Sequence, residues 1–473
     1  MRPLELTLFV LDLACVILPL LVRPGGAVWR WLAWLAPLAA VAGVLQWGME
    51  RYRWQMVPLY VLTVALLAWR WPRLLGRPSA PARRRGVWLG GLVGAIVLAV
   101  AALPPVLFPV PRLPTPGGPE AIGTVSFQWT DPTRPEINTA DPNDVRTIMV
   151  QFWYPATPAP GAQPGPWMDR LDVAGPTIAR YLGLPSFFLD HAALVTTHSY
   201  PGAPVNSNTA PLPVVIYSHG WNGFRTVNLN QSEALASHGY VAVAVDHTYG
   251  AMFTVFPDGR VAPNNPAALP PETPKDAYTA GTQKVEATYA ADLRFVLDQL
   301  VLVNSGAIPS PLTGRLDLTR VGLYGHSTGG GAVVLACSQD KRCQAGLGMD
   351  AWLGPVPPPV INQGLTQPFL FMRSATWSTA QNDALLDTLY TGARAGVMRM
   401  TIRGTKHYDF TMLPLLTPLA PVLGLKGPID GQRGLAIITD YLLAFFDQTL
   451  KGQAQPLLTG PSSGYPEVTF ERR

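Results

Sequence analysis

The sequence predicts an α/β protein in which a mostly parallel, doubly wound sheet follows a membrane region of about four helices. Three observations lead to this prediction. Four apolar stretches occupy the first 110 of the 473 residues. From residue 213 onward, short apolar runs alternate with helix-like segments, which is the pattern of a parallel sheet covered by helices. Between one such run and the next helix lies a Gly-x-Ser-x-Gly motif at residues 325–329.

The apolar stretches comprise residues 4–22, 28–47, 56–71 and 87–110. Each approaches the roughly 20 residues that an α-helix needs to cross a bilayer, although the third is short. Tryptophans cluster near their ends, as interfacial anchors do. Three further stretches follow the first, which disfavours a cleavable signal peptide. The alternative is a set of buried helices in a soluble protein. We expect a transmembrane region over residues 1–110.

Charge is distributed unevenly along the chain. Residues 1–112 carry twelve arginines and three acidic residues, a net charge of +9, whereas the whole chain carries +5. No basic stripe interleaved with aromatic residues follows this region, so we expect no nucleic-acid partner. Six arginines and no acidic residue occupy residues 70–85. Because cytoplasmic loops are rich in Lys and Arg, we expect this loop in the cytoplasm and the chain after residue 110 outside it.

The Gly-x-Ser-x-Gly motif centres on Ser327. In an α/β-hydrolase, such a serine lies on the nucleophile elbow, a turn between strand and helix that requires small residues two positions before and after it. Gly325 and Gly329 meet this requirement. The motif alone is weak evidence, but the strand before it and the helix after it favour the elbow. We predict an α/β-hydrolase catalytic domain over residues 120–473, joined through a Pro/Gly linker at 111–119.

A serine nucleophile requires a base and an acid that orients the base, and the chain order in this fold is Ser, acid, His. His407 is the only histidine after Ser327 and follows the last predicted strand, so it is the predicted base. Asp350 ends the first predicted strand after the elbow and is the favoured acid. Asp383, which follows the second strand, is the alternative. Asp409 is too close to His407 in sequence to orient it easily.

Two backbone N–H groups are expected to form the oxyanion hole. One belongs to Thr328, the residue after the nucleophile, and the other to the loop that follows an early strand. In that loop Trp221 follows His219 and Gly220, so the Trp221 N–H is the predicted second donor. His219 is interpreted as a structural residue that shapes the loop.

Cys337 and Cys343 lie six residues apart, between the predicted nucleophile helix and the next strand. An oxidising compartment would permit a disulfide between them, and two free thiols are the alternative. Neither Cys-x-x-Cys nor His-x-x-x-His occurs, so we expect no metal ion and no other cofactor.

Several segments together resemble the plasma-type platelet-activating-factor acetylhydrolases over roughly residues 120–450. They are Ser-His-Gly at 218–220, Ala-Ser-His-Gly-Tyr at 236–240, the run from Asp317 through the elbow, Asp-Ala-Trp at 350–352 and Arg-Gly-Thr-Lys-His at 403–407. The resemblance implies a metal-independent serine esterase that cleaves short or oxidised acyl chains from phospholipids. It also implies a Ser327, Asp350 and His407 triad with Trp221 and Thr328 as oxyanion donors. The membrane region departs from the secreted members of that family.

The sequence therefore predicts a membrane-anchored serine ester hydrolase that acts on a lipid or a small ester through an acyl-enzyme. Its catalytic domain is expected outside the cytoplasm. A cutinase-like or polyester esterase is the alternative with the same chemistry. The alternative from another class is a non-catalytic membrane receptor on a hydrolase fold, and the complete candidate triad argues against it.

Overall fold

The computed structural model describes residues 1–22, 26–75, 84–207, 210–377 and 379–473. Two compact units divide the chain. The first comprises Met1–Pro111, Phe187–Leu194 and Leu416–Leu419. The second comprises Arg112–Ser186, Val195–Leu415 and Ala420–Arg473.

Helices dominate the first unit: α1 Pro3–Leu21, α2 Ala27–Trp31, α3 Leu35–Glu50, α4 Val57–Leu74 and α5 Arg84–Leu107. Among the described residues, three helical stretches are long and apolar enough to cross a membrane. They are Pro3–Leu21, Ala27–Glu50 and Arg84–Leu107. The four predicted spans are therefore reduced to three. The third predicted span does form α4, but Arg70, Pro72 and Arg73 near its end lower its mean hydropathy.

A ten-stranded sheet forms the centre of the second unit. The strands of this unit are β1 Ala121–Pro135, β2 Val145–Ala156, β3 Ser199–Pro201, β4 Leu212–Ser218, β5 Val241–Asp246, β6 Phe253–Val255, β7 Val261–Pro263, β8 Leu316–His326, β9 Cys343–Met349, β10 Phe369–Ser374, β11 Val397–Ile402 and β12 Val468–Arg472. All of them belong to the large sheet except β6 and β7, which form a separate two-stranded ribbon. The spatial order is β12-β11-β10-β9-β8-β4-β5-β2-β1-β3. The six strands from β11 to β5 run parallel. The pairs β12–β11, β5–β2 and β2–β1 are antiparallel, and β3 pairs parallel with β1 at the edge.

Helices cover both faces of this sheet. They are α6 Leu171–Tyr181, α7 Leu229–Ser237, α8 Lys275–Ser305, α9 Thr328–Gln339, α10 Pro358–Gln363, α11 Ala380–Gly392 and α12 Gly431–Leu450. Leu323 of β8 joins an apolar cluster with residues of α8 and α9. The ring of the next residue, Tyr324, lies 6.3 Å from that of Phe446 in α12. Successive side chains of a strand point to opposite faces, so α12 lies across the sheet from α8 and α9.

One edge of the sheet differs from our expectation. The strand that precedes His407, now β11, is the last one that the sequence predicts, but β12 pairs antiparallel with it at the end of the chain. This strand has only five residues and lies at the sheet edge. Short edge strands carry weak sequence signals because tertiary pairing, rather than local propensity, decides them.

Candidate active site

Ser327 lies in the tight turn between β8 and α9, with φ 57° and ψ −121°. This left-handed conformation is costly for a residue with a side chain and marks a position that the surrounding structure forces. A Cβ at Gly329 would lie 2.1 Å from the Ser218 carbonyl oxygen, and one at Gly325 would lie 2.2 Å from the Gly329 carbonyl oxygen. Only glycine therefore fits on either side of the serine, as the motif predicts.

Asp350 follows β9 directly and is 4% exposed. Its Oδ2 lies 3.0 Å from His407 Nδ1. Ser374, at the end of β10, donates to both oxygens of the carboxylate: its N–H to Oδ1 at 2.7 Å and its hydroxyl to Oδ2 at 2.6 Å. Asp350 and Ser374 thus meet at the carboxyl ends of neighbouring parallel strands. The two hydrogen bonds from Ser374 orient the Asp350 carboxylate toward the imidazole of His407.

His407 lies between two aromatic rings. The Trp377 ring stacks on the imidazole at 4.5 Å and 11°, and the His326 ring lies 4.3 Å away. His326 Nε2 donates to the His407 carbonyl oxygen at 3.0 Å. Burial, with a smaller effect of His407, lowers the pKa of His326 well below its usual range. The residue before Ser327 is therefore a neutral hydrogen-bond donor that holds the backbone of His407.

Within the described residues, Ser327 Oγ makes no hydrogen bond to His407, although His326 joins the two segments. Contacts of this kind often tighten only when substrate binds. The alternative acids lie elsewhere. Asp383 pairs with Arg373 in the first turn of α11. Asp409 accepts from the backbone N–H groups of residues 406 and 427, at 2.7 and 2.6 Å.

The two predicted oxyanion donors belong to segments that meet at the elbow. A Cβ at Gly220 would lie 2.9 Å from the Cβ of Ser327, so the loop after β4 passes directly beside the serine. Among the described residues, the N–H groups of Trp221 and Thr328 have no hydrogen-bond acceptor. Thr328 begins α9, where the helix dipole favours negative charge. Both N–H groups are thus available to a developing oxyanion.

A second Ser-His-Asp chain, which sequence reasoning missed, lies beneath this loop. Ser218 Oγ is 2.9 Å from His247 Nε2, and His247 Nδ1 is 2.9 Å from Asp292 Oδ2. The backbone N–H of His247 also donates to His219 Nε2 at 3.1 Å. All of these side chains are fully buried, which separates them from any substrate. They fasten the base of the loop after β4, in agreement with the structural interpretation of His219.

Asp292 is the charged end of this chain. Burial favours the neutral form of Asp292. The Arg146 guanidinium, at 2.6 Å, and the imidazole Nδ1–H of His247 nevertheless hold the pKa of Asp292 below the usual range. Burial lowers the pKa of His247, and Asp292 only partly offsets this effect. The pair is therefore an ionised aspartate beside a neutral histidine, and the arginine supplies the balancing charge.

A cavity of about 230 Å³ adjoins the loop after β4. Trp221 lines one side. Residues of the segments 137–146, 248–250 and 265–270 and of α8 line the rest. Tyr289, which is 2% exposed, stacks on His247 at 3.8 Å and also reaches this cavity. The cavity lies beside the predicted oxyanion donor and is large enough for a small organic group.

The cysteines are joined in the structure: a disulfide links Cys337 and Cys343 between α9 and β9. Cys15 in α1 is a buried free thiol.

The parallel sheet, the elbow serine and the chain order Ser327, Asp350, His407 together define an α/β-hydrolase. The family profile described as "Platelet-activating factor acetylhydrolase, isoform II" matches residues 112–287 and 297–456, which is well over half of the chain. The chain belongs to this family, and the resemblance inferred from its motifs is confirmed.

Individual relatives match over different lengths. The platelet-activating factor acetylhydrolase of Cavia porcellus is 27% identical over 50% of this chain, and the match spans only 57% of that protein's own length. The Arthroderma benhamiae protein named "Probable 1-alkyl-2-acetylglycerophosphocholine esterase" is 26% identical, over 80% of this chain and 98% of that protein. Among solved structures, a ferulic acid esterase from Streptomyces cinnamoneus superposes with a TM-score of 0.63. The two sequences are 28% identical, and the match covers 76% of this chain and 99% of the esterase chain.

Ser374 and Trp377 are further residues of the site that sequence reasoning did not single out. They contact Asp350 and His407 across segments that are 24 or more residues apart in sequence. The available signal was their position at the end of a buried strand and just after it, where the sequence offered no carboxylate. That position could have suggested partners for the acid.

Proposed function

We propose that this protein is a membrane-anchored serine ester hydrolase with Ser327, Asp350 and His407 as its triad. The observation that carries the proposal is the 3.0 Å contact between His407 and an Asp350 carboxylate that Ser374 orients, beside a strained elbow serine. The family and the esterase neighbour support the reaction class.

In this mechanism His407 removes the proton of Ser327 Oγ, and the oxygen attacks the ester carbonyl carbon. The N–H groups of Trp221 and Thr328 stabilise the oxyanion. Asp350 keeps His407 Nδ1 protonated, so that Nε2 is free to act as the base and then to donate a proton to the leaving alcohol. Water, activated in the same way, releases the acid from the acyl-enzyme.

The substrate that we propose is an ester with a short acyl group. The cavity beside Trp221 measures about 230 Å³, below the roughly 300–1,000 Å³ of sites that hold drug-sized ligands. The Arthroderma benhamiae relative is named as an esterase of 1-alkyl-2-acetylglycerophosphocholine, which supports a lipid as the alcohol part. The ferulic acid esterase neighbour supports a second candidate, an esterase that acts on a soluble, non-lipid ester.

Two measurements test the proposal. A fluorophosphonate probe should label the wild type and leave Ser327→Ala unlabelled, because only an activated serine reacts. A non-catalytic receptor on this fold would leave both proteins unlabelled. Hydrolysis rates over a series of p-nitrophenyl esters, and of phospholipids with the same acyl lengths, then separate the candidates. A lipid enzyme should prefer the short-chain phospholipid, and the second candidate should prefer the soluble ester.

For the membrane region, we propose that three segments span the bilayer: α1, the stretch from α2 through α3, and α5. We propose that α4 packs with them as a less apolar helix. The arginine-rich segment before α5 would then lie in the cytoplasm, and α5 would lead the chain to an extracytoplasmic catalytic domain. Three apolar helices and the distribution of arginine support this arrangement.

A further inference from the structure

The first unit contains a cavity of about 160 Å³ that the ester hydrolase proposal does not use. Residues of α1, α4 and α5 line it, together with Trp29 of α2. Arg70 and Arg73, in the last turns of α4, supply its polar side chains. A cavity with two guanidinium groups between apolar helices requires an explanation, because an unpaired buried charge is costly.

Arg70 is 1% exposed, yet most of its hydrogen-bonding capacity is unused. Its Nη2 donates to the Cys15 carbonyl oxygen at 3.3 Å. Within the described part of the chain, Arg70 Nε and Nη1 and Arg73 Nη1 are buried without a partner. The unpaired N–H groups belong to two neighbouring guanidinium groups that line the same cavity.

Among the described residues of the first 111, no carboxylate forms an ion pair with Arg70 or Arg73. Glu5 pairs with Arg53 at 2.7 Å, and Glu50 lies 3.7 Å from Arg2. Asp12 accepts from the Thr63 hydroxyl at 2.8 Å. The cavity is therefore a cationic site in which the protein provides no counter-ion among the residues that the structure describes.

Aromatic rings and glycines shape the site. The Arg70 guanidinium lies 4.5 Å from the Trp69 ring and 5.6 Å from the Trp29 ring, and Arg73 lies 5.0 Å from Trp69. Stacked rings hold the guanidinium plane and leave its N–H edge free. On α5, a Cβ at Gly90 would meet nothing within 4 Å, so this side remains open.

We propose that this cavity binds a phosphate anion, either as the phosphate group of a membrane lipid or as free phosphate. Guanidinium groups bind phosphate oxygens through paired N–H donors. Basic pockets between transmembrane helices commonly hold anionic lipid head groups. This site is independent of the ester hydrolase chemistry.

The probes are a short-chain phosphatidic acid with ether-linked tails, which no esterase can cleave, and inorganic phosphate. Binding of each to the full-length protein in detergent is measured by calorimetry. We expect a single site for at least one probe, with Arg70→Gln weakening binding by about tenfold or more, since two charge-assisted hydrogen bonds are lost. Arg51→Gln, an exposed change directly after α3, removes the same charge and should leave affinity within about twofold.

Binding of the ether lipid alone assigns the site to a lipid, and equal binding of inorganic phosphate assigns it to the free anion. No binding of either probe, or equal weakening by Arg70→Gln and Arg51→Gln, overturns the proposal. If Arg70→Gln does not fold, Gly90→Leu gives the decision because it fills the cavity without changing charge. It should abolish binding, whereas Gly48→Leu, in an equally open position on α3, should not.

Discussion

Both oxygens of Asp350 are occupied by donors, which fixes the direction in which this carboxylate can act. Ser374 supplies two of these donors, and His407 lies against Oδ2. An asparagine has the same shape but turns either its NH₂ group or its oxygen toward each partner. In either orientation, the NH₂ group faces a group that donates a hydrogen bond to the carboxylate in the wild type. When the NH₂ group faces His407, the imidazole no longer keeps its proton on Nδ1, and Nε2 is no longer free to act as the base.

We therefore expect Ser327→Ala, His407→Ala and Asp350→Asn each to lower kcat by at least about a thousandfold, as loss of a triad member does in other serine hydrolases. The measurement is steady-state hydrolysis of a short-chain p-nitrophenyl ester, after correction for the spontaneous rate.

Asp383→Asn is the matched control, because it makes the same chemical change at the rival carboxylate. Its partner is Arg373, so we expect nearly full activity. The assignment of the acid would be wrong if Asp350→Asn kept its activity and Asp383→Asn lost it.

At the scale of elements, the direction of α5 decides where the catalytic domain lies. Arginines precede α5, and its middle is apolar, so the N-terminal end should stay in the cytoplasm. We expect a reporter fused after residue 115 to be active only if it is of the kind that works after export. A second fusion after residue 80 should show the opposite preference. If a reporter that works only in the cytoplasm is active at residue 115, the proposed topology is wrong. The Cys337–Cys343 disulfide would then lie in a reducing compartment, which does not favour it.

Elements with a strong local signal could be predicted from the sequence. The segment β8, elbow and α9 is one, because an apolar run, two obligatory glycines and a helix follow each other within a few residues. The segment α4 shows the limit: its helix was predicted, but two arginines near its end change its suitability as a span.

The contacts that complete the site could not be predicted, because they join distant parts of the chain. Trp377 stacks on an imidazole 30 residues later, and Asp292 reaches Ser218 only through His247. No periodicity or motif links these residues. Only the sheet, which places the carboxyl ends of its parallel strands along one edge, brings such segments together.

At the scale of the whole molecule, the stability of the second unit depends on buried groups that the fold keeps neutral. Burial lowers the pKa of His219, His247 and His326. An unfolded histidine takes up a proton below a pH of roughly 6.5, so these residues reduce stability as the pH falls below that value.

Glu286 of α8 acts in the opposite direction. Its carboxyl group is fully buried, and neither oxygen has a partner among the described residues. A Cβ at Gly331 would lie 2.0 Å from Glu286 Oε1, so the carboxyl group packs against the first turns of α9. Burial raises the pKa of Glu286 well above its usual range. The folded protein keeps the proton that the unfolded chain releases above a pH of roughly 4.5, so stability is lost as the pH rises toward the folded pKa.

We expect Glu286→Gln to remove this loss. Relative to the wild type, the variant should gain free energy of unfolding with increasing pH, by roughly 1.4 kcal/mol per pH unit between about pH 5 and the folded pKa of Glu286. Urea unfolding of both proteins at several pH values from 5 to 8 measures this difference. Any constant cost of the buried amide shifts the whole curve without changing its slope. Glu272→Gln, at an exposed position before α8, should follow the wild type at every pH. A Glu286→Gln curve parallel to the wild type would show instead that Glu286 is ionised in the folded protein, and a counter-charge would then have to lie beside α9.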